Sequence, residues 1–330
     1  MAVPVTVEKG APLDAQKKAR GPEITPELAA VLSDLSPEES AMVARLVRKA
    51  KTGPEGQRVP LNDVSVVHEF LKVDLENDDF SVLQNITAYT AKPTVKHYPE
   101  RPQIELPKDL LPVDFSLGEV ITKRASRRDF SKGPMSLQEL ASLLHYSYGV
   151  RSRMLAYNVK GFSNRYVPTM GGLQSPEIYF TANAVEGLEQ GLYHYNPDRH
   201  TVELLDQGNL RRKVVRACIK QDWLDAASIV LFLTSCMDKV YWKYGRRAYR
   251  FVHADAGILA QTLHLVSNAL RLRSCMVAGY VDDDVHDLLQ IDGRNEFVSL
   301  LMGIGRKSYE PAPPERNGHP AGSTANSSEE

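Results

Sequence analysis

"AASIVLFLT", residues 226–234, contains the longest apolar run of the chain, and the fold prediction starts from it. A short, continuous apolar run of this kind is typical of a buried strand at the centre of a sheet. A helix needs about 20 apolar residues to span a bilayer, so the run is too short to cross a membrane. It therefore predicts the centre of a sheet.

Further strands are predicted on both sides of this run. "PEIYFTAN" (176–183) and "NEFVSLLMGIG" (295–305) read as strands. "GLYHYNPDRHTVELL" (191–205) reads as a hairpin that turns at Asn-Pro-Asp (196–198). The central strand thus has several candidate neighbours.

Helices are interspersed among these strands. "ADAGILAQTLHLVSNALRL" (254–272) predicts a buried helix, because its apolar residues recur at helical spacing. "SLGE" (116–119) and "SLQE" (136–139) are capping boxes that open two more helices. Strands and helices do not alternate regularly, which favours an α+β fold with helices packed on a sheet.

Four segments are distinguished by composition. Residues 1–24 and 310–330 are polar and predict a disordered N-terminus and a disordered tail. Residues 25–102 predict a helical N-terminal module, with a capping box "SPEE" at 36–39, followed by a Pro-rich connector. Residues 103–309 carry the predicted sheet, so we expect the main domain there.

Charge and cysteine content limit the class of protein. The 330 residues have a formal net charge of −1, so no overall field attracts nucleic acid or an anionic membrane. Three scattered cysteines, Cys218, Cys236 and Cys275, without CxxC spacing suggest reduced thiols. The N-terminus lacks the apolar core of a signal peptide. We expect a cytoplasmic protein.

Several familiar site motifs are absent from the sequence. No GxGxxG links a strand to a helix, and no GxxxxGK[ST] or GxSxG site is present. The histidines show no metal-ligand spacing, so no metal site is predicted. His145, His253 and His264 fall in apolar helices and are interpreted as core residues.

Two basic segments could bind an anion. In "KRASRRDFS" (123–131), Arg124, Ser126 and Arg128 alternate, so an extended chain points them the same way and suits a phosphate and its polyol. In "GIGRK" (303–307), glycines could bring Arg306 and Lys307 to an anion. Each segment could also be solvated chain with no ligand.

A glycine loop and a Lys-Tyr pair are further candidates. In "RYVPTMGGLQSPE" (165–177), Gly171 and Gly172 could expose backbone amides to a flat or anionic group, or simply form a tight turn. In "YWKYGRRAYRF" (241–251), Lys243 and Tyr244 could act on a substrate or lie on a charged helix face.

Side chains that follow one another on a helix point in different directions. For Lys243 and Tyr244 either a kink at Gly245 lets both reach one site, or one supports the other from behind. We also expect the arginines that follow the pair to disfavour the ammonium of Lys243.

Taken in the order in which they occur along the chain, these motifs resemble the flavin-dependent nitroreductase superfamily, over roughly residues 103–307. Within it, the chain is most similar to the SagB/McbC-type dehydrogenases that oxidise azolines to azoles in peptide natural products. The resemblance implies a nitroreductase-like α+β fold, a homodimer with a mostly antiparallel central sheet flanked by helices. Residues before about 100 are an extra helical segment that it does not cover.

The resemblance also implies an FMN site. In the superfamily one segment holds the phosphate, ribityl chain and pyrimidine edge, one loop lies by the isoalloxazine ring, one loop lies near N5, and a basic pair meets the phosphate. The matching residues here are, in that order, Arg124, Ser126 and Arg128; Pro168, Thr169, Gly171 and Gly172; Ala278 and Gly279; and Arg306 and Lys307.

The same resemblance assigns Lys243 and Tyr244 to catalysis of thiazoline or oxazoline oxidation, with oxygen reoxidising the flavin. The substrate would be a peptide or a carrier-bound intermediate, and a cyclodehydratase or a peptide synthetase a possible partner. Two alternatives stay open: an NAD(P)H-dependent reductase of nitro compounds or quinones, and a non-catalytic scaffold.

Four positions, in three places, depart from the usual family pattern. Gln174 and Ser175 replace a pair such as Leu-Tyr, Arg271 stands where Gly is usual, and Ile258 stands where His is frequent. The sequence does not explain these changes.

Overall fold

The computed structural model describes residues 89–131 and 133–307, together with scattered positions between 30 and 86. Several of those positions are helical, and Ser36 and Glu39 form the predicted capping box through bonds of 2.8 and 3.2 Å. The predictions for residues 1–24 and 310–330 fall outside the described residues.

A seven-stranded sheet forms the centre of the main unit. Its order is β1-β6-β5-β4-β7-β9-β8, and a separate hairpin consists of β2 and β3. The strands are β1 Gln103–Glu105, β2 Val150–Ala156, β3 Val159–Arg165, β4 Pro176–Ala182, β5 Gly191–Asn196, β6 Thr201–Gln207, β7 Ile229–Cys236, β8 Arg273–Val277 and β9 Glu296–Gly305. Each pair of neighbouring strands is antiparallel.

Six α-helices accompany the strands in the described residues between 117 and 307. They are α1 Leu117–Lys123, α2 Leu137–Tyr148, α3 Arg211–Ala217, α4 Asp238–Tyr244, α5 Ala248–Ala269 and α6 Asp282–Leu289. Both predicted capping boxes are formed, by Ser116 with Glu119 and by Ser136 with Glu139. None of the described helices is long and apolar enough to cross a membrane.

Strand β7 lies inside the sheet, between β4 and β9, and every residue of it is buried, as predicted. Alternate side chains enter two different cores: Leu231 packs in the core that contains Leu259 and Leu263 of α5, whereas Phe232 packs in the core that contains Val214 of α3. Helices therefore cover both faces of the sheet. The predicted α+β architecture of a mostly antiparallel sheet flanked by helices is confirmed.

Local signals placed the other elements well. The β5–β6 hairpin turns where predicted, because Asn196 Oδ1 accepts the backbone N–H groups of Asp198 and Arg199 at 3.1 and 3.3 Å. The three cysteines are buried free thiols. His264 Nε2 lies 3.2 Å from the carbonyl of Ala125, in line with a core role.

The β2–β3 hairpin was not predicted. Five of the seven residues of β2 are exposed, so the strand lacks the apolar alternation that marks a half-buried strand. Its turn is Tyr157-Asn158, with φ values of 49° and 59°. Such turns are usually recognised by Asn-Gly or Asp-Gly, a signal that this sequence lacks.

A row of buried charges crosses the sheet. His194 on β5 lies 3.1 Å from Glu177 on β4 and 2.9 Å from Glu203 on β6. Lys239 of α4 lies 2.5 Å from the other oxygen of Glu177 and also donates to the carbonyl of Gln174 at 3.1 Å. Four buried charges, two of each sign, thereby compensate one another.

These contacts set the charge states of the row. Burial raises the pKa of Glu177, but Lys239 and His194 outweigh burial and lower it to about 2. Burial lowers the pKa of His194, but its bonds to the two carboxylates outweigh burial and raise it. The members of the row thus favour one another's charged forms, and each depends on its partners.

Replacing Lys239 with Met removes the cation, keeps a similar length of side chain, and leaves Glu177 without its closest partner. We expect the free energy of unfolding to fall by about 3–5 kcal/mol, as for other buried pairs broken on one side. Urea unfolding at neutral pH measures the change.

Lys123→Met is the matched control, since Lys123 pairs with Glu119 on the exposed surface of α1. Exposed pairs contribute about 0–1 kcal/mol. Equal losses in the two variants would contradict the role given to Lys239.

Candidate functional site

The glycine loop is a tight turn that also allows a close approach. Gly171 and Gly172 have φ values of 65° and 68°, in the left-handed region that favours glycine. Pro168 is exposed, and Thr169 Oγ1 accepts the backbone N–H of Gln174 at 3.1 Å. A Cβ on Gly171 would lie 2.6 Å from the hydroxyl of Tyr244 and 3.0 Å from Nζ of Lys243. Glycine is needed here for space as well as for conformation.

Lys243 and Tyr244 therefore meet at one point of the loop. Both lie at the end of α4, and Gly245 follows with φ 52° and ψ −144°, a backbone conformation that suits glycine. The chain then passes through a 3₁₀ turn, Gly245–Arg247, into α5. The structure has the first of the two arrangements considered from the sequence, a kink at Gly245 with both side chains reaching Gly171.

The ammonium of Lys243 lies among phenol groups. Its Nζ donates to the hydroxyl of Tyr157 at 2.9 Å, and it lies 4.8 and 5.0 Å from the ring centres of Tyr157 and Tyr244. Burial lowers the pKa of Lys243, but the hydrogen bonds to Tyr157 and Tyr244 outweigh burial and raise it.

The expectation that the following arginines favour a neutral Lys243 is therefore wrong. The nearest groups to the ammonium are hydroxyl oxygens and aromatic faces, which stabilise a cation. Lys243 is protonated at neutral pH, so it can donate hydrogen bonds or stabilise negative charge but cannot act as a base.

Asp255 anchors the glycine loop and was missed in the sequence. It lies on α5 with a fully buried side chain, and it accepts the backbone N–H of Met170 at 2.8 Å and the hydroxyl of Ser175 at 2.6 Å. Burial raises the pKa of this carboxyl, and the two hydrogen bonds only partly oppose that shift. A carboxylate inside the apolar run "ADAGILA" was the available signal.

The segment after α1 runs along the beginning of β8. The backbone N–H of Arg127 donates to the carbonyl of Ser274 at 2.9 Å, and Phe130 forms a bridge with Lys307. The guanidinium of Arg128 lies 5.7 Å from the ring centre of Trp223. Burial raises the pKa of the Cys275 thiol, opposed by Arg128 and by a hydrogen bond from Ser126. Ser126 and Arg128 thus share one neighbourhood.

The predicted basic pair does not act as a unit. Arg306 donates to Glu139 at the beginning of α2, at 2.9 Å. Lys307 instead lines a cleft of about 390 Å³ with three other cations, Lys123, Arg271 and Arg273. Successive residues of an extended chain point to opposite sides, which separates the two.

The loop after β8 lies near Arg128. The side-chain amide of Gln221 donates to the carbonyl of Gly279 at 3.3 Å and accepts the indole N–H of Trp223 at 3.1 Å. Trp223 in turn lies beneath Arg128. Ala278, the other predicted residue of this loop, is exposed.

The predicted residues fall into two groups along α5. The glycine loop contacts α5 at Asp255, and the segment after α1 contacts it at His264. The two contacts are nine residues apart, about 13 Å along the helix axis. One ligand that touches both groups must be elongated.

Two of the three sequence departures have structural roles, and the third adds to the core. Ser175 donates its hydroxyl to Asp255 and so holds the glycine loop, whereas Gln174 holds the loop only through its main-chain carbonyl, which any residue would supply. Arg271 has φ 61° immediately beyond α5, and its guanidinium lies 5.2 Å from the ring centre of Phe115. Ile258 packs against the core.

Comparison with known proteins gives the family. The nitroreductase family model matches residues 121–306, more than half of the chain. "Putative nitroreductase MJ1384" of Methanocaldococcus jannaschii is 31% identical over 194 residues, which are 59% of this chain and 92% of that protein. The chain belongs to the nitroreductase family, a family of oxidoreductases.

Two solved structures that carry the same description have a similar fold. One from Anabaena variabilis has a TM-score of 0.58 and 25% identity, covering 77% of this chain and 49% of that one. One from Ralstonia eutropha has a TM-score of 0.51 and 22% identity, covering 67% of this chain and 99% of that one. The chain thus spans about half the length of the Anabaena structure.

The flavin that the family implies is compatible with these residues. Arg124, Arg128 and Lys307 form no ion pair with any residue in the described part of the chain, so their charge is available to a phosphate. The glycine loop, at the other contact with α5, leaves Gly171 exposed. The donor set and the spacing both fit an elongated, phosphate-bearing ligand.

Asp255→Asn keeps the shape of the side chain but turns one acceptor into a donor that faces Met170 N–H or the hydroxyl of Ser175. We expect a loss of about 1.5–3 kcal/mol in the free energy of unfolding, the usual range for hydrogen bonds to charged groups. Chemical denaturation measures this loss.

Asp287→Asn, at an exposed position of α6, is the control and should stay within about 0.5 kcal/mol of the wild-type free energy of unfolding. A loss there comparable to that of Asp255→Asn would contradict the anchoring role of Asp255.

Proposed function

We propose that this protein is an FMN-dependent dehydrogenase that oxidises a peptide-derived thiazoline or oxazoline to the thiazole or oxazole. The observation that carries the proposal is the convergence of Lys243 and Tyr244 on Gly171, since the resemblance links that pair to azoline oxidation. The charge state of Lys243 and the cationic cleft that Lys307 lines are consistent with it.

Converting an azoline to an azole removes a proton from Cα and a hydride from the neighbouring ring carbon. FMN, when bound, would supply the hydride acceptor, and oxygen would be the final electron acceptor. Lys243, as an ammonium, stabilises negative charge that develops on the substrate as the proton leaves. We assign proton acceptance to the oxygen of Tyr244, because Lys243 has no free lone pair when protonated.

We assign FMN contacts to the two groups of residues along α5. The phosphate end consists of Arg124, Ser126, Arg128 and Lys307, while Arg306 is held by Glu139. The ring end consists of Pro168, Thr169, Gly171 and Gly172. Ala278 and Gly279, which the resemblance assigns to N5, lie in the loop beside Trp223 and Arg128.

Replacing Arg124 or Arg128 with Ala removes a charge-assisted phosphate contact. We expect FMN affinity to fall by roughly 10- to 100-fold, from about 1.5–3 kcal/mol per hydrogen bond to a charged group. Purified wild type should be yellow and release FMN, not FAD, on acid treatment, and fluorescence titration measures affinity. Arg153→Ala, on the exposed β2, is the control. Wild-type affinity in both site variants would refute the phosphate assignment.

Lys243→Ala and Tyr244→Phe, made separately, test the reaction. Each should keep the fold and the FMN but lose azoline oxidation by about two orders of magnitude, as expected when a proton-transfer group is lost. Turnover of a synthetic azoline-containing peptide, followed by mass spectrometry, measures the loss. Lys213→Ala, on the exposed side of α3, controls for lysine removal. If turnover is unchanged in both variants, Lys243 and Tyr244 have only a structural role and the proposed mechanism is wrong.

The second candidate is an NAD(P)H-dependent reductase of nitro compounds or quinones. The names of the three similar proteins favour it. Rapid bleaching of bound flavin by NADPH, followed by reduction of a nitro compound at equal rates in wild type and Lys243→Ala, would favour the reductase over the dehydrogenase.

We also propose a homodimer in the cytoplasm. On α1, Leu117 and Ile121 are one helical turn apart and are 69% and 55% exposed, an apolar pair that a second copy could cover. The substrate would reach the site on a peptide or a carrier. A cyclodehydratase or a peptide synthetase is the corresponding partner.

A further inference from the structure

Tyr157 stands at an unusual position of the chain. It is the first residue of the two-residue β2–β3 turn, with φ 49°. A bulky residue at positive φ is uncommon and strained, so it persists only where its surroundings hold it in place. The turn thereby presents an aromatic side chain that a glycine or asparagine could not supply.

The body of Tyr157 is held by packing. Its ring centre lies 5.5 Å from that of Phe162 and 5.6 Å from that of Trp242, both in edge-on geometry. Its backbone carbonyl accepts the N–H of Ala91 at 3.1 Å. These contacts fix the direction of the phenol independently of its hydroxyl.

The hydroxyl of Tyr157 joins the two parts of the candidate site. It donates to the carbonyl of Gly171 at 2.6 Å, and it accepts a hydrogen bond from Nζ of Lys243 at 2.9 Å. Because the single phenolic proton is given to the carbonyl, the lone pairs of the oxygen remain directed to the ammonium. The hydroxyl thus orients Lys243 and the loop together.

We propose that Tyr157 is a positioning residue of this site, whose hydroxyl holds the Lys243 ammonium against Gly171 and keeps it beside Tyr244. The role in the reaction rests on the proposed function. The link between Tyr157 and Lys243 does not, because it requires neither substrate nor flavin.

Tyr157→Phe tests the link, since it keeps the ring packing and removes only the hydroxyl. The pH dependence of acetylation of Lys243 by acetic anhydride, followed by peptide mass spectrometry on the full chain, reports how readily the ammonium gives up its proton. The hydroxyl is one of the groups that raise the pKa of Lys243, so the variant should be acetylated at lower pH. At a fixed pH below the midpoint we expect about three- to tenfold more acetylation, where one pH unit corresponds to tenfold.

Tyr146→Phe is the matched control, because Tyr146 also donates to a backbone carbonyl, that of Leu111 at 3.1 Å, away from Lys243. It should leave the Lys243 profile at the wild-type midpoint. A Tyr157→Phe midpoint equal to wild type overturns the proposal. Greater exposure of the lysine would raise the rate at every pH without moving the midpoint, and that result also overturns it.

Two additions complete the test. One guards against poor folding of the variant, and the other separates the positioning role of Tyr157 from the proposed reaction. If Tyr157→Phe folds poorly, Asn158→Gly is added to it, since glycine is preferred at this turn position. Wild-type azoline turnover in Lys243→Ala, with a shifted acetylation midpoint in Tyr157→Phe, refutes the proposed reaction while supporting the positioning role.

Discussion

The ion pair between Lys239 and Glu177 is the contact on which the candidate site depends. It attaches α4 to β4 inside the protein, and the same ammonium holds the carbonyl of Gln174 at the end of the glycine loop. Lys243 is four residues further along α4, on the same face of the helix. Fixing Lys239 in the interior therefore aims Lys243 at the loop.

The glycine loop is held from three directions. Asp255 accepts hydrogen bonds from its middle and its end, Lys239 holds the carbonyl of Gln174, and Tyr157 donates to the carbonyl of Gly171. All of these contacts except the one from the Ser175 hydroxyl bind backbone groups, so they fix the path of the chain without restricting most of its side chains. A rigid loop is what a bound aromatic ring requires, because small displacements of positioned groups weaken catalysis strongly.

Two lysines on one helix have different tasks because their surroundings differ. Lys239 is buried beside a carboxylate, which neutralises it within the protein. Lys243 is half-buried among hydroxyl groups and rings, which stabilise its charge without cancelling it. The charge of Lys243 thus remains available to a ligand. The net charge of −1 for the whole chain gives no sign of this local arrangement.

The sequence alone determined the elements whose signals lie within about ten residues: the apolar run of β7, the Asn-Pro-Asp turn, the capping boxes, and the motifs that indicated the family. Only the tertiary structure decided which distant groups meet. Tyr157 and Lys243 are 86 residues apart, and Asp255 lies 85 residues from the loop that it anchors. The charge of Lys243 follows from such neighbours and not from the arginines beside it in sequence, because a pKa depends on the groups nearest in space.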